Sequence, residues 1–90
     1  MLTPSSWTML TRDHQIAIRP AKPEDATTVR ELSELDSARP LPGEVLLAEV
    51  DGHAVAAVSL DTGQAVADPF VPSAPAVGLL QVRARQLRSA

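Results

Sequence analysis

Ninety residues suffice for one domain and not for two, and the 44 % hydrophobic share is ordinary for a globular chain. The absence of cysteine excludes disulfides and thiolate metal sites and fits a reducing cytoplasm. The net charge of −3 is unevenly spread: residues 1–68 carry five Lys or Arg against eleven Asp or Glu (−6), and residues 69–90 carry three Arg and no acid (+3), which argues against general nucleic-acid binding and suits a local acidic partner.

Residues 1–14 read as a disordered leader, because Pro4, Ser5 and Ser6 lie in a stretch of mixed polarity without periodicity. Trp7 is its one large apolar group, either an exposed side chain on a loose tail or a docking anchor. Met9 is an alternative native start to Met1. Residues 15–19 alternate, with Ile16 and Ile18 on one side and Gln15, Ala17 and Arg19 on the other. That is a strand, stopped by Pro20 and Pro23.

Pro23-Glu24-Asp25 opens a helix, since proline suits the first turn and early acids suit the positive end of the dipole. Ala26, Val29, Leu32 and Leu35 mark its buried stripe, with Arg30, Glu31 and Glu34 on a solvated face. Pro40, Pro42 and Gly43 end the element.

Residues 44–50 and 53–61 form the clearest unit. Asp51-Gly52 between two apolar runs predicts a hairpin with a type I′ turn, which needs positive φ at both central residues. Both strands are apolar on both faces, so the hairpin is expected to be covered on each side. Asp61-Thr62-Gly63 is a second turn, and residues 64–67 form a short strand that Asp68-Pro69-Phe70 ends. Ser73 and Pro75 then start a helix. Its apolar stripe is Val77, Leu80, Ala84 and Leu87, with Leu79 beside it.

Arg83, Arg85 and Arg88 have two readings. They complement the negative end of the helix dipole, or they form an interaction patch for an acidic partner. The expected fold is α+β: a mostly antiparallel sheet of three to four strands with two helices, order β-α-β-β-β-α, forming one small domain over residues 15–90 behind the leader. With only Trp7 and Phe70 as aromatics, its core rests on Val, Leu, Ile and Ala. Each buried CH₂ contributes about 0.8 kcal/mol, and short chains bury a smaller fraction of their surface. Marginal stability, or help from a partner, is expected.

Catalytic chemistry is sparse. His14 and His53 have no partner at metal-ligand spacing. The serines stand in no GxSxG elbow, and glycines 43, 52, 63 and 78 form no phosphate loop. Asp61 and Asp68 flank the short strand, where turn formation and strand termination account for them. The reading therefore assigns no catalytic, cofactor-binding or metal residue. No apolar run approaches the roughly 18 residues of a membrane span, and residues 1–11 lack a signal-peptide pattern.

Ile16-Ala17-Ile18-Arg19-Pro20-Ala21 followed by Pro23-Glu24-Asp25-Ala26 resembles the opening strand and first helix of the GNAT acetyltransferase superfamily. Leu47-Ala48-Glu49-Val50-Asp51-Gly52 and Ala54-Val55-Ala56-Ala57 resemble its second and third strands. Asp68-Pro69 before a helix resembles the end of its fourth. The likeness covers roughly residues 15–88 and implies the N-terminal half of that fold. The family's Gln/Arg-x-x-Gly-x-Gly/Ala loop cradles the pyrophosphate of acetyl-CoA. Here the corresponding stretch is Val71-Pro72-Ser73-Ala74-Pro75-Ala76-Val77-Gly78, whose prolines remove two donors. The chain also has no tyrosine to serve as the family's frequent terminal acid. The resemblance thus implies a truncated, noncatalytic domain with no bound cofactor that acts through protein interaction, and the lack of cysteine fits a cytoplasmic location. The domain's open sheet edge would be covered by a protein partner or a second copy. The alternative is a residual acyl-CoA binder, or an acetyltransferase subunit completed by a partner.

Overall fold

The structure, a computed structural model, describes residues 14–88 together with the backbone of residues 7–11. Five strands join in chain order into one antiparallel sheet: β1 (Trp7–Thr11), β2 (His14–Pro20), β3 (Val45–Val50), β4 (His53–Ser59) and β5 (Ala65–Ala67). A short 3-10 turn (Pro23–Asp25) leads into helix α1 (Ala26–Leu35), and α2 (Ala74–Arg88) follows β5. From β2 onward the order is the expected β-α-β-β-β-α of an α+β fold.

Strand β1 corrects the expected leader and raises the strand number to five. Trp7 stands opposite Ile18 and Thr11 opposite His14 in an antiparallel ladder. The segment has no alternation of its own. A sheet edge, however, presents unpaired N–H and C=O groups that recruit any extended neighbour. The rest of the expected leader, residues 1–6 and 12–13, lies outside the described residues, as do residues 89–90 and the side chains of Trp7 and His14.

The turn at Asp51-Gly52 forms as its chemistry requires, with φ of 51° and 87°. Both faces of the hairpin are covered because one helix lies on each. Ile16, Ile18, Leu46, Ala48, Ala56 and Val58 pack toward Ala76, Leu80 and Ala84 of α2. Val45, Leu47, Ala57 and Val66 pack toward Leu32 of α1. The Cα radius of gyration is 12.1 Å, the size of a fully packed chain of this length, about 12 Å.

The register of the hairpin slips once. Ala48 faces Ala56, but Glu49 faces Ala54, so Val55 is an extra residue on β4. This bulge puts Val55 and Ala56 in the same α2-side core. In a run with no polar alternation, nothing in the sequence marks such a slip.

The helix stripes also differ from expectation. In α1, Leu32 and Ser33 are buried and Val29 half-buried, whereas Ala26 is exposed and Leu35 is 43 % exposed. The helix rests mainly on β4 and β5, so its two ends overhang the contact. Ser33 tolerates burial because its hydroxyl donates to the Val29 carbonyl at 3.1 Å. In α2, Ala76, Leu80 and Ala84 recur every four residues and are buried. The alanines flanking Leu80 allow close approach to the sheet. Leu87 lies on the same side but past its end, and is 40 % exposed.

Buried Ser59 closes the far end of β4. Its hydroxyl donates to the Pro42 carbonyl at 2.7 Å and accepts the N–H groups of Asp61 and Thr62 at 3.2 and 3.3 Å. Its carbonyl accepts the Gly63 N–H at 2.8 Å. One side chain thus fixes the turn between β4 and β5 and ties it to the loop after α1.

Candidate functional site

The turn fixed by Ser59 lies beside the C-terminal half of α2. Between them is a half-open cleft of about 320 Å³, lined by Val58, Thr62, Gly63, Gln81, Ala84, Arg85 and Arg88. Gly63 has φ of 78°, and its missing Cβ matters here. A Cβ at that position would meet Arg88 Nη1 at 2.8 Å. The bare glycine therefore lets the guanidinium lie against the turn.

Two of the three arginines singled out in the sequence, Arg85 and Arg88, share this cleft. Arg83 does not line it; it is half-buried and donates to Gln86 Oε1 at 3.3 Å. Neither Arg85 nor Arg88 enters an ion pair among the described residues. The nearest acid in the turn, Asp61, has its carboxylate against Gly43, on the loop after α1. Thr62 Oγ1 accepts the Gln64 N–H at 3.1 Å, which leaves its hydroxyl proton to donate elsewhere. The cleft combines two uncompensated guanidinium groups with neutral donors from Gln81 and Thr62. Among the described residues its charged groups are all positive. The dipole-complement reading explains why arginines sit at this end of α2, and their i, i+3 spacing puts Arg85 and Arg88 on one side of the helix, toward this turn.

At the other end of α2 lies an apolar cavity, also of about 320 Å³, lined by Ile16, Val50, Asp51, His53, Val55, Val71, Pro72, Pro75 and Ala76. It coincides with the stretch that the GNAT resemblance aligns with a pyrophosphate loop. The Val77 N–H is taken by the Ser73 carbonyl at 2.9 Å, and Pro72 and Pro75 bring no N–H. The wall is apolar and offers few donors to an anion. His53 is exposed at its rim. Asp68, near the start of the same loop, accepts the Phe70 N–H at 2.8 Å and so forms a local turn.

The most strongly coupled charges lie on the α1 side of the sheet. Arg19 grips Asp25 with two bonds, Nη1 to Oδ2 at 2.7 Å and Nη2 to Oδ1 at 2.9 Å, and reaches Glu49 Oε2 at 3.4 Å. Asp25 Oδ2 also accepts the Lys22 N–H at 2.7 Å. The Arg19 guanidinium, with the Lys22 N–H next, holds the Asp25 carboxyl well below the usual carboxylate range. Asp25 in turn raises the Arg19 pKa above its ordinary value against the opposing effect of burial, and Glu49 adds to the rise. These bonds fasten the turn that starts α1 to β2 and β3. Sequence reading missed them because Arg19, Asp25 and Glu49 belong to three different elements.

Among the described residues no group of three or more His, Asp or Glu is arranged to hold a metal ion, and no helix is long and apolar enough to cross a membrane. No protein-family model, no curated protein and no solved structure matches the chain.

Proposed function

We propose that this chain is a noncatalytic domain, similar to the N-terminal half of a GNAT fold, that acts in the cytoplasm by binding an acidic protein partner. The observation that carries this reading is that Arg85 and Arg88, with no ion pair among the described residues, line one surface cleft of a chain whose net charge is −3. An exposed arginine pair without an ion pair among the described residues leaves a positive surface that suits an anionic partner. Arg83, two residues before Arg85 on the same helix, adds a third positive charge outside the cleft.

A partner strand added at the β5 edge has less support. Residues 64 and 68 bond to β4, so by antiparallel alternation residues 65 and 67 face the open edge. The Ala67 N–H is already taken by Asp36. A second copy docked there would find a three-residue strand with one donor occupied.

Replacing Arg83, Arg85 and Arg88 together with glutamine tests the reading. Capture of acidic proteins by the immobilised domain is expected to be lost while the far-UV circular dichroism spectrum stays the same. Undiminished capture by the variant would overturn it.

The second reading is a residual acyl-CoA binder or a subunit completed by a partner. It is favoured by the apolar cavity at the α2 N-terminus, which has room for a short acyl chain. Against it stands the shortage of N–H donors in the wall formed by Pro72 and Pro75.

A further inference from the structure

The arginine cleft has features that narrow the chemistry of what it recognises. Its two guanidinium groups are both unpaired among the described residues. One carboxylate satisfies one guanidinium fork and leaves the second charge unmatched. A phosphoryl group carries a charge of about −1.5 to −2 and three acceptor oxygens. It matches two forks and still has acceptor capacity for a third donor. Gln81 and Thr62 line the same cleft, and both bring neutral donors. The volume of about 320 Å³ is more than a bare ion needs. The cleft is also half open, between the side of a helix and a turn.

We propose that the cleft formed by Arg85, Arg88, Gln81 and Thr62 binds a phosphorylated serine or threonine side chain on a partner protein. The inference rests on the protein-interaction reading above and specifies the group recognised. The arginines supply charge-assisted, forked bonds to the phosphoryl oxygens, and the threonine hydroxyl and glutamine amide complete the shell. Gly63 serves as the positioning residue. It acts through Arg88, whose guanidinium occupies the space a side chain at position 63 would need.

The test is a titration of the isotope-labelled protein with a capped Ala-phosphoserine-Ala peptide, alongside its unphosphorylated and glutamate forms and phenyl phosphate. Saturable amide shifts at residues 62–63 and 81–88 are expected with the phosphopeptide, and much weaker ones with the glutamate form. Arg85→Gln and Arg88→Gln should each weaken phosphopeptide binding by about tenfold or more. Both residues are exposed, so the amide dispersion should confirm that the variants stay folded. No saturable shift with the phosphopeptide overturns the proposal. Equal shifts with glutamate and phosphoserine overturn it too, while leaving the acidic-partner reading standing. Binding of phenyl phosphate but not of the peptide overturns the peptide source. Loss of protein capture in the triple arginine variant, without phosphopeptide binding, sinks this inference alone.

Discussion

The Asp36 carboxylate, just past the end of α1, accepts the N–H of Ala67 at 3.2 Å. Ala67 is the last residue of the edge strand β5, so the helix that covers one face of the sheet also caps a donor on its edge. Exposed edges template association, and this contact blunts one. Asp36→Ala is expected to cost about 0.5–1.5 kcal/mol and to speed hydrogen exchange at the Ala67 amide. It should also raise the apparent mass in concentration-dependent light scattering. Unchanged exchange at Ala67 would show that the contact does not form in solution.

The Arg19–Asp25 pair gives stability a definite pH dependence. The folded-state pKa of Asp25 is depressed, with Arg19 the leading cause. The pair's contribution is therefore present above the ordinary aspartate value, about 4. It is lost progressively as pH falls below that value, because the unfolded chain binds the proton first. Asp25→Asn should lower stability at pH 7 by about 1 kcal/mol. The gap between the variant and the natural chain should narrow as pH drops from 4 toward 2. Denaturant midpoints across that range check the sign; a gap that widens in acid contradicts the assignment.

Ser59→Ala removes three hydrogen bonds from a side chain that is fully buried. Their other partners lie in exposed residues and regain water in part. The expected loss is about 1–3 kcal/mol, visible as a lower urea midpoint with an unchanged slope. Because this turn forms one wall of the cleft, the amide resonances of residues 61–63 should shift most.

Gly63→Ala combines two effects. An alanine at φ of 78° pays about 1–2 kcal/mol for the left-handed backbone, and its Cβ displaces the Arg88 guanidinium. The variant should be less stable by that amount and should show altered Arg88 side-chain resonances. If the Arg88 resonances hold still, its guanidinium does not lie against the turn.

What the sequence made legible follows its strongest local signals. Alternation marked β2 at Ile16 and Ile18, and Asp51-Gly52 marked the central turn. Pro23 with its two following acids marked the start of α1, although the first turn is 3-10. The misses share a cause: they depend on groups brought together across elements. Strand β1 has no periodicity and exists through its pairing with β2. The Val55 bulge hides in an all-apolar run. Ser59 carries no signal of its own within the run 53–61, yet it joins two loops. Of the three arginines, helical geometry put Arg85 and Arg88 toward one turn, and only the fold reveals that the turn is there. Conversely, Leu35 and Leu87 fit their stripes by periodicity but overhang the sheet, because helix length is not set by the width of the surface it covers.

The central claim is that the chain works through the anionic-partner surface of α2 and not as an acyl-CoA enzyme. The most direct measurement is a titration of acetyl-CoA and free CoA into the isotope-labelled protein, followed through the amides of residues 71–78. The account predicts no shift in that stretch at millimolar ligand, because its prolines and apolar wall offer a pyrophosphate too few donors. Saturable shifts clustered at residues 71–78 would contradict it and restore the acyl-CoA reading.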